Sequence, residues 1–109
     1  MISYEVTLQV QPALAPAVEE FMRQTHIPEI FATGCFQQIR FSLASAGRYR
    51  TSYQADTQAE LDRYLRDHAP RFRGDFTKKF TEGVTVTREI WVQRQVWSLI
   101  LLACVTSWF

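Results

Sequence analysis

The side chains with catalytic potential are few. His26 and His68 are the only histidines, and Cys35 and Cys104 the only cysteines. Imidazole is the side chain whose ordinary ionisation falls near neutral pH, so two histidines can serve as an acid/base or ligand-contacting pair. His26 lies four residues after Met22, and His68 four after Tyr64. Each therefore falls on the apolar stripe of a predicted helix, near its C-terminal end. An imidazole there also caps terminal carbonyls and meets the favourable end of the helix dipole. That structural role is the preferred reading.

Other chemistries find less support. No CxxC or Cys/His spacing suggests zinc or redox work. Glu29 and Asp67 are the acids nearest the histidines, and no third ligand stands at a recognisable spacing, so no metal is expected. There is no G-x-S-x-G elbow, and Cys35 has no partner base in sequence; it reads as a buried, inert thiol. The glycines at 34, 47, 74 and 83 are isolated, so no phosphate-cradling loop forms. No cofactor is expected.

The elements that must position these residues follow from periodicity. Residues 2–10 alternate, with Ile2, Tyr4, Val6, Leu8 and Val10 on one face, which predicts a half-buried strand. Pro12 and Pro16 open a helix whose stripe is Leu14, Val18, Phe21 and Met22. Pro28 should interrupt it near Ile27, and a short further turn should end at Gly34. Residues 35–43 and 48–55 read as strands joined by a loop, Ala44–Gly47. Thr57 and Glu60 have capping-box spacing. The helix they start carries Leu61, Tyr64, Leu65 and His68, and ends before Pro70. Phe72, Phe76 and Phe80 predict a further helical segment. Residues 84–92 form a fourth strand whose apolar series is broken by Arg88.

The order β-α-β-β-α-β specifies an α+β domain with a ferredoxin-like fold: an antiparallel four-stranded sheet with two helices on one face. Its helices run antiparallel, and one of about 13 residues is about 20 Å long. His26 and His68, placed at opposite ends, should not meet within one chain. The other sheet face is polar, holding Glu5, Thr7, Gln9, Arg40, Arg50 and Glu89 among others. Such a face is either wet or docked on a second copy.

Charge excludes some partners. The net charge of +1 gives no reason to expect nucleic acid or an anionic membrane. RNA stacking needs aromatic residues on the open face, but Tyr49 and Tyr53 have the parity of the helix side. The basic run Arg63, Arg66, Arg71, Arg73, Lys78 and Lys79 is interleaved with acids and reads as a solvated helix face. Residues 96–109 carry no charge. They are shorter than the about 20 residues of a spanning helix, so no stable membrane span is expected. The domain is expected over residues 1–93, with an apolar extension over 94–109 that packs on the domain, on a second subunit or on a membrane surface.

Two separated motifs carry a resemblance. His26-Ile27-Pro28-Glu29 with Ala32-Thr33-Gly34 and Phe36, and Tyr64-Leu65 with His68-Ala69-Pro70-Arg71, resemble DUF4286, a family of small bacterial proteins of unknown function. The resemblance covers about residues 1–92. It implies a ferredoxin-like domain of the kind that pairs as a dimeric α/β barrel, and it implies no activity.

Two functional readings follow. The first is a non-catalytic homodimer that binds a partner or a small molecule. The second, by analogy of fold, is a cofactor-independent oxygenase or isomerase with a dry pocket between sheet and helices, lined by Tyr4, Tyr53, His26 or His68. The candidate ligand and motif residues are His26, Glu29, Tyr53, Tyr64, His68 and Arg71. The N-terminus enters a strand without a basic start or apolar leader, so a reducing cytoplasm is the expected setting.

Overall fold

The computed structural model describes residues 1–99. Strand β1 (Ile2–Val10) lies at the centre of the sheet because its alternating side chains bury one face along its whole length. It pairs antiparallel with β3 (Arg48–Ala55) on one side and with β4 (Val84–Val92) on the other. Strand β2 (Gln38–Ser45) pairs with β3, which gives the order β2-β3-β1-β4. This is the ferredoxin-like arrangement expected from the order of elements. The second strand starts later than its sequence pattern suggests. Cys35 and Phe36 are buried in the loop before it, with Cys35 a free thiol. The β2–β3 hairpin closes more tightly than a four-residue loop: Ser45 already pairs with Arg48, with an irregularity after Leu43. Gly47 has φ +77°, and a Cβ there would stand 2.3 Å from the Val10 carbonyl oxygen, so this corner needs glycine.

Helices cover the face formed by Ile2, Tyr4, Val6, Leu8 and Val10. The first arm comprises α1 (Ala15–Phe21), a π-helical segment (Met22–His26) and α2 (Ile27–Phe31). Val18, Met22, His26 and Ile30 are all buried. A spacing of four drifts off one face at about 3.6 residues per turn; the wider π turn, in which the Ile27 N–H reaches the Met22 carbonyl, keeps the stripe on the sheet. Pro28 sits just beyond this turn. It cannot donate a backbone hydrogen bond, and its ring crowds the preceding turn. The expected interruption is therefore a widening, and the helix continues to Phe31.

The second arm comprises α3 (Gln58–Asp67) and α4 (Ala69–Lys79), jointed at His68, whose φ is −123°. The Thr57 hydroxyl accepts from the Glu60 N–H at 3.2 Å. The reciprocal half of the box is replaced, because the Glu60 carboxylate takes Arg63 at 2.8 Å. The second arm has the two segments expected from sequence, the first ending before Pro70. His26 is the last residue of the π-helical segment, and His68 follows the last residue of α3, so each stands at the C-terminal end of its segment as expected, with a further helix beyond it.

The core has two parts. Ile2, Tyr4, Ile30, Phe36, Tyr53 and Leu61 belong to one, and Leu8, Val18, Met22, Tyr49 and Phe76 to the other. Val6 touches both and is itself only partly buried. Beyond β4, the Gln93 N–H continues the ladder to the Met1 carbonyl at 3.0 Å. Val96, Trp97 and Leu99 are exposed. Residues 100–109, the greater part of the expected apolar extension, lie outside the described residues. No helix among the described residues is long and apolar enough to cross a membrane.

Candidate functional site

The seam between the two parts of the core is incompletely filled. Across the sheet at this level the helix-facing row reads Phe41, Thr51, Val6, Arg88. Its central members are small, and Arg88 reaches outward to an exposed position. A cavity of about 70 Å³ results. Tyr4, Val6, Leu8 and Tyr53 form its sheet side; Met22, His26 and Ile30 come from the first arm, and Tyr64, Phe72 and Phe76 from the second. The exposed lining residues Arg73, Thr77 and Arg88 mark its mouth. The volume is about two waters' share of liquid, so a ligand enters with a slender end.

The polar groups in the walls are held neutral. His26 packs among aromatic rings, with centroids 5.4 Å from Phe21, 5.9 Å from Phe72 and 5.8 Å from Phe76. Burial lowers its pKa from 6.5 to about 4, against an opposing pull from Asp75. The imidazole is therefore uncharged at neutral pH. Tyr53 and Tyr64 have their phenol ionisation pushed up, chiefly by burial, and stay protonated. The Tyr4 ring is tilted against both, at 5.8 Å from Tyr53 and 6.3 Å from Tyr64. Its hydroxyl accepts from Arg73 Nη2 at 2.9 Å.

The structure separates the residues singled out from sequence. His26, Tyr53 and Tyr64 come together on the cavity wall. Glu29 and Arg71 pair with each other at 3.3 Å on the surface, tying α2 to α4. Arg71 also lies 3.8 Å from Asp75 and covers the Phe72 ring. His68 is half-buried at the α3–α4 joint, stacked near Tyr64 at 6.3 Å, and does not line the cavity. Arg73 and Arg88 were missed. Arg88 had a signal, because it breaks an inward-facing apolar series; Arg73 was hidden in a run of alternating charge. Among the described residues no group of three His, Cys, Asp or Glu side chains could hold a metal.

Among the described residues no element covers the opposite face of the sheet. Glu5 accepts from Ser3 and Ser52 and lies 3.8 Å from Arg50. Glu89 stands directly across from Glu5. By strand parity the acids of this face, Glu5 and Glu89, lie on β1 and β4, and its arginines, Arg40, Arg48 and Arg50, on β2 and β3.

The DUF4286 sequence profile, described as a domain of unknown function, matches residues 1–93. The chain belongs to the DUF4286 family. No curated protein matches this DUF4286 chain in sequence. Solved structures resemble it in fold. A protein from Deinococcus radiodurans, assigned as an antibiotic biosynthesis monooxygenase, is 16% identical with a TM-score of 0.66, over 90% of this chain and 97% of that one. The ActVA-Orf6 monooxygenase of Streptomyces coelicolor, solved with the ligand nanaomycin D, is 13% identical with a TM-score of 0.59, over 89% and 92%. A dimeric ferredoxin-like protein from an uncultured marine organism is 16% identical with a TM-score of 0.56, over 87% and 96%. At these identities the likeness establishes the fold of the DUF4286 domain and nothing further.

Proposed function

We propose that this DUF4286 domain is a non-catalytic, homodimeric module that binds a small molecule between its sheet and its helices. The observation that carries this reading is the open, aromatic-lined cavity at the seam of the core. A domain of this size ordinarily closes such a seam, since interiors pack to crystal-like density. Concave, mostly apolar space with a few converging polar groups is the usual form of a ligand site. The free, buried thiol of Cys35 supports a reducing cytoplasmic setting.

The dimer is supported by the charge layout of the open face. Glu5 and Glu89 face each other across neighbouring strands, an unfavourable juxtaposition. A second copy turned about an axis parallel to the strands sets the arginine half of one face over the acidic half of the other. That contact is self-complementary, as a two-fold interface requires. Analytical ultracentrifugation tests it: a monomer at tens of micromolar removes the dimer from the proposal.

An oxygenase or isomerase is the second reading, favoured by the same cavity and by the monooxygenase neighbours. The state of His26 argues for binding first. A group with a pKa of about 4 is a weak proton acceptor at neutral pH, where an efficient general base is tuned close to the working pH. The test is a small-fragment titration followed by NMR at the Met22 methyl and the Tyr4 and Tyr53 rings, repeated on Val86→Phe, which fills the cavity from its edge. Binding that shifts these signals and is lost in the variant supports the reading. Shifts confined to other surfaces contradict it.

A further inference from the structure

We propose that Arg73 and Arg88 form an anion-recognising mouth on this cavity, and that its ligand is a short amphiphilic carboxylate whose acid group lies between the two guanidinium groups. This rests on the cavity being a ligand site. The first observation is the position of Arg88. The other residues of β4 with the parity of the helix side are Val84, Val86, Ile90 and Val92, the last two exposed, and Arg88 stands opposite Val6, at the seam itself. Arg88 thus brings a guanidinium to the cavity at the one position where the series is not apolar.

The second observation is what the two arginines lack. Arg50, Arg63, Arg66 and Arg71 each have a carboxylate within 4.0 Å, whereas among the described residues Arg23, Arg40, Arg48 and Arg94 share the lack of one but do not line this cavity. Among the described residues neither Arg73 nor Arg88 has one, and no acid lines the cavity. Arg73 is fixed by one bond, from Nη2 to the Tyr4 hydroxyl. A guanidinium has five N–H donors in a planar fork, so the rest of its donors remain for a bidentate acceptor. The field of both arginines reaches the cavity wall, where it opposes the burial that raises the Tyr64 phenol.

The third observation is the gradient from mouth to floor. Two cations stand at the opening, and Val6, Leu8, Ile30 and Phe72 lie within. That polarity matches a molecule with an anionic head and an apolar tail. The narrow volume selects an unbranched chain over a bulky ring system.

The test compares pentanoate with 1-pentanol on the full chain, by NMR titration at the Met22 methyl, at low salt and at 0.3 M salt. Charge-assisted hydrogen bonds are strong enough for pentanoate to bind about tenfold more tightly or better. The preference should shrink at high salt and disappear in the Arg73→Gln/Arg88→Gln double variant. Because both arginines are exposed, the double variant should fold, which its melting temperature checks. Equal binding of both probes, or a preference that survives in the variant, overturns the anion mouth and leaves the cavity site standing. Failure of both probes to shift any cavity signal overturns the cavity site as well.

Discussion

Arg73 donates from Nη2 to the Tyr4 hydroxyl across 2.9 Å, joining the second helical arm to the central strand at the edge of the cavity. Tyr4 is buried and Arg73 exposed, so the bond also fixes where the apolar interior ends. Tyr4→Phe keeps the ring and removes the acceptor. Arg73 can then turn to water, so the expected cost is about 1 kcal/mol, the net worth of a typical hydrogen bond. Urea denaturation checks it; a loss of several kcal/mol would mean that the tyrosine does more than hold Arg73.

Burial of neutral His26 ties stability to pH. Its folded pKa of about 4 lies below the ordinary 6.5, so the unfolded chain binds the proton more readily. Stability from this group is complete above about pH 6.5 and is lost as pH falls toward 4, by about 3 kcal/mol in all. Carboxylates titrate in the lower part of the same window, so the comparison must be with His26→Phe, which keeps an aromatic ring and removes the proton site. The difference in unfolding free energy between the two proteins should change by that amount between pH 7 and pH 4. A pH-independent difference would show that His26 is not buried as a neutral group.

Thr51 offers a stabilising substitution. Its side chain is fully buried in the seam row, and among the described residues its hydroxyl has no partner in good hydrogen-bond geometry, although the Tyr53 phenol is close enough to feel it. Thr51→Val removes an unsatisfied polar atom at nearly constant shape, so a gain of about 1 kcal/mol is expected. Destabilisation in a thermal melt would show that the hydroxyl is engaged.

Dimerisation should respond to charge in a patterned way. Arg40→Glu places an acid in the arginine half of the open face, and Glu89→Lys a base in the acidic half. Each single change should weaken self-association about tenfold or more, since like charges brought together are costly. The double change should recover most of the loss. Sedimentation equilibrium measures this, and an association constant unmoved by either single change excludes the proposed face.

The architecture was legible because its signals are local and redundant. The alternation in Ile2–Val10, the Thr57 cap and the glycine-marked hairpin each point to one element, and they agree on one topology. The π turn at Met22–His26 was not legible, because a spacing of four reads as ordinary helix until the position of the sheet is known. The site was half legible. Tyr4, Tyr53 and His26 sit on apolar stripes, and analogy of fold groups them, with His68 as an alternative, around a pocket between sheet and helices. Glu29 and Arg71 belong to a shared motif, yet their chemistry is consumed in pairing with each other. Arg73 could not be distinguished from its charged neighbours, since its role depends on the tertiary approach of α4 to β1.

A crystal structure determined with pentanoate bears most directly on the central claim. Density for the carboxylate between Arg73 and Arg88, with the chain directed toward Val6 and Phe72, is the predicted result. A cavity closed by Tyr4, Tyr64 and His26 side chains, with the probe bound elsewhere or nowhere, would contradict it.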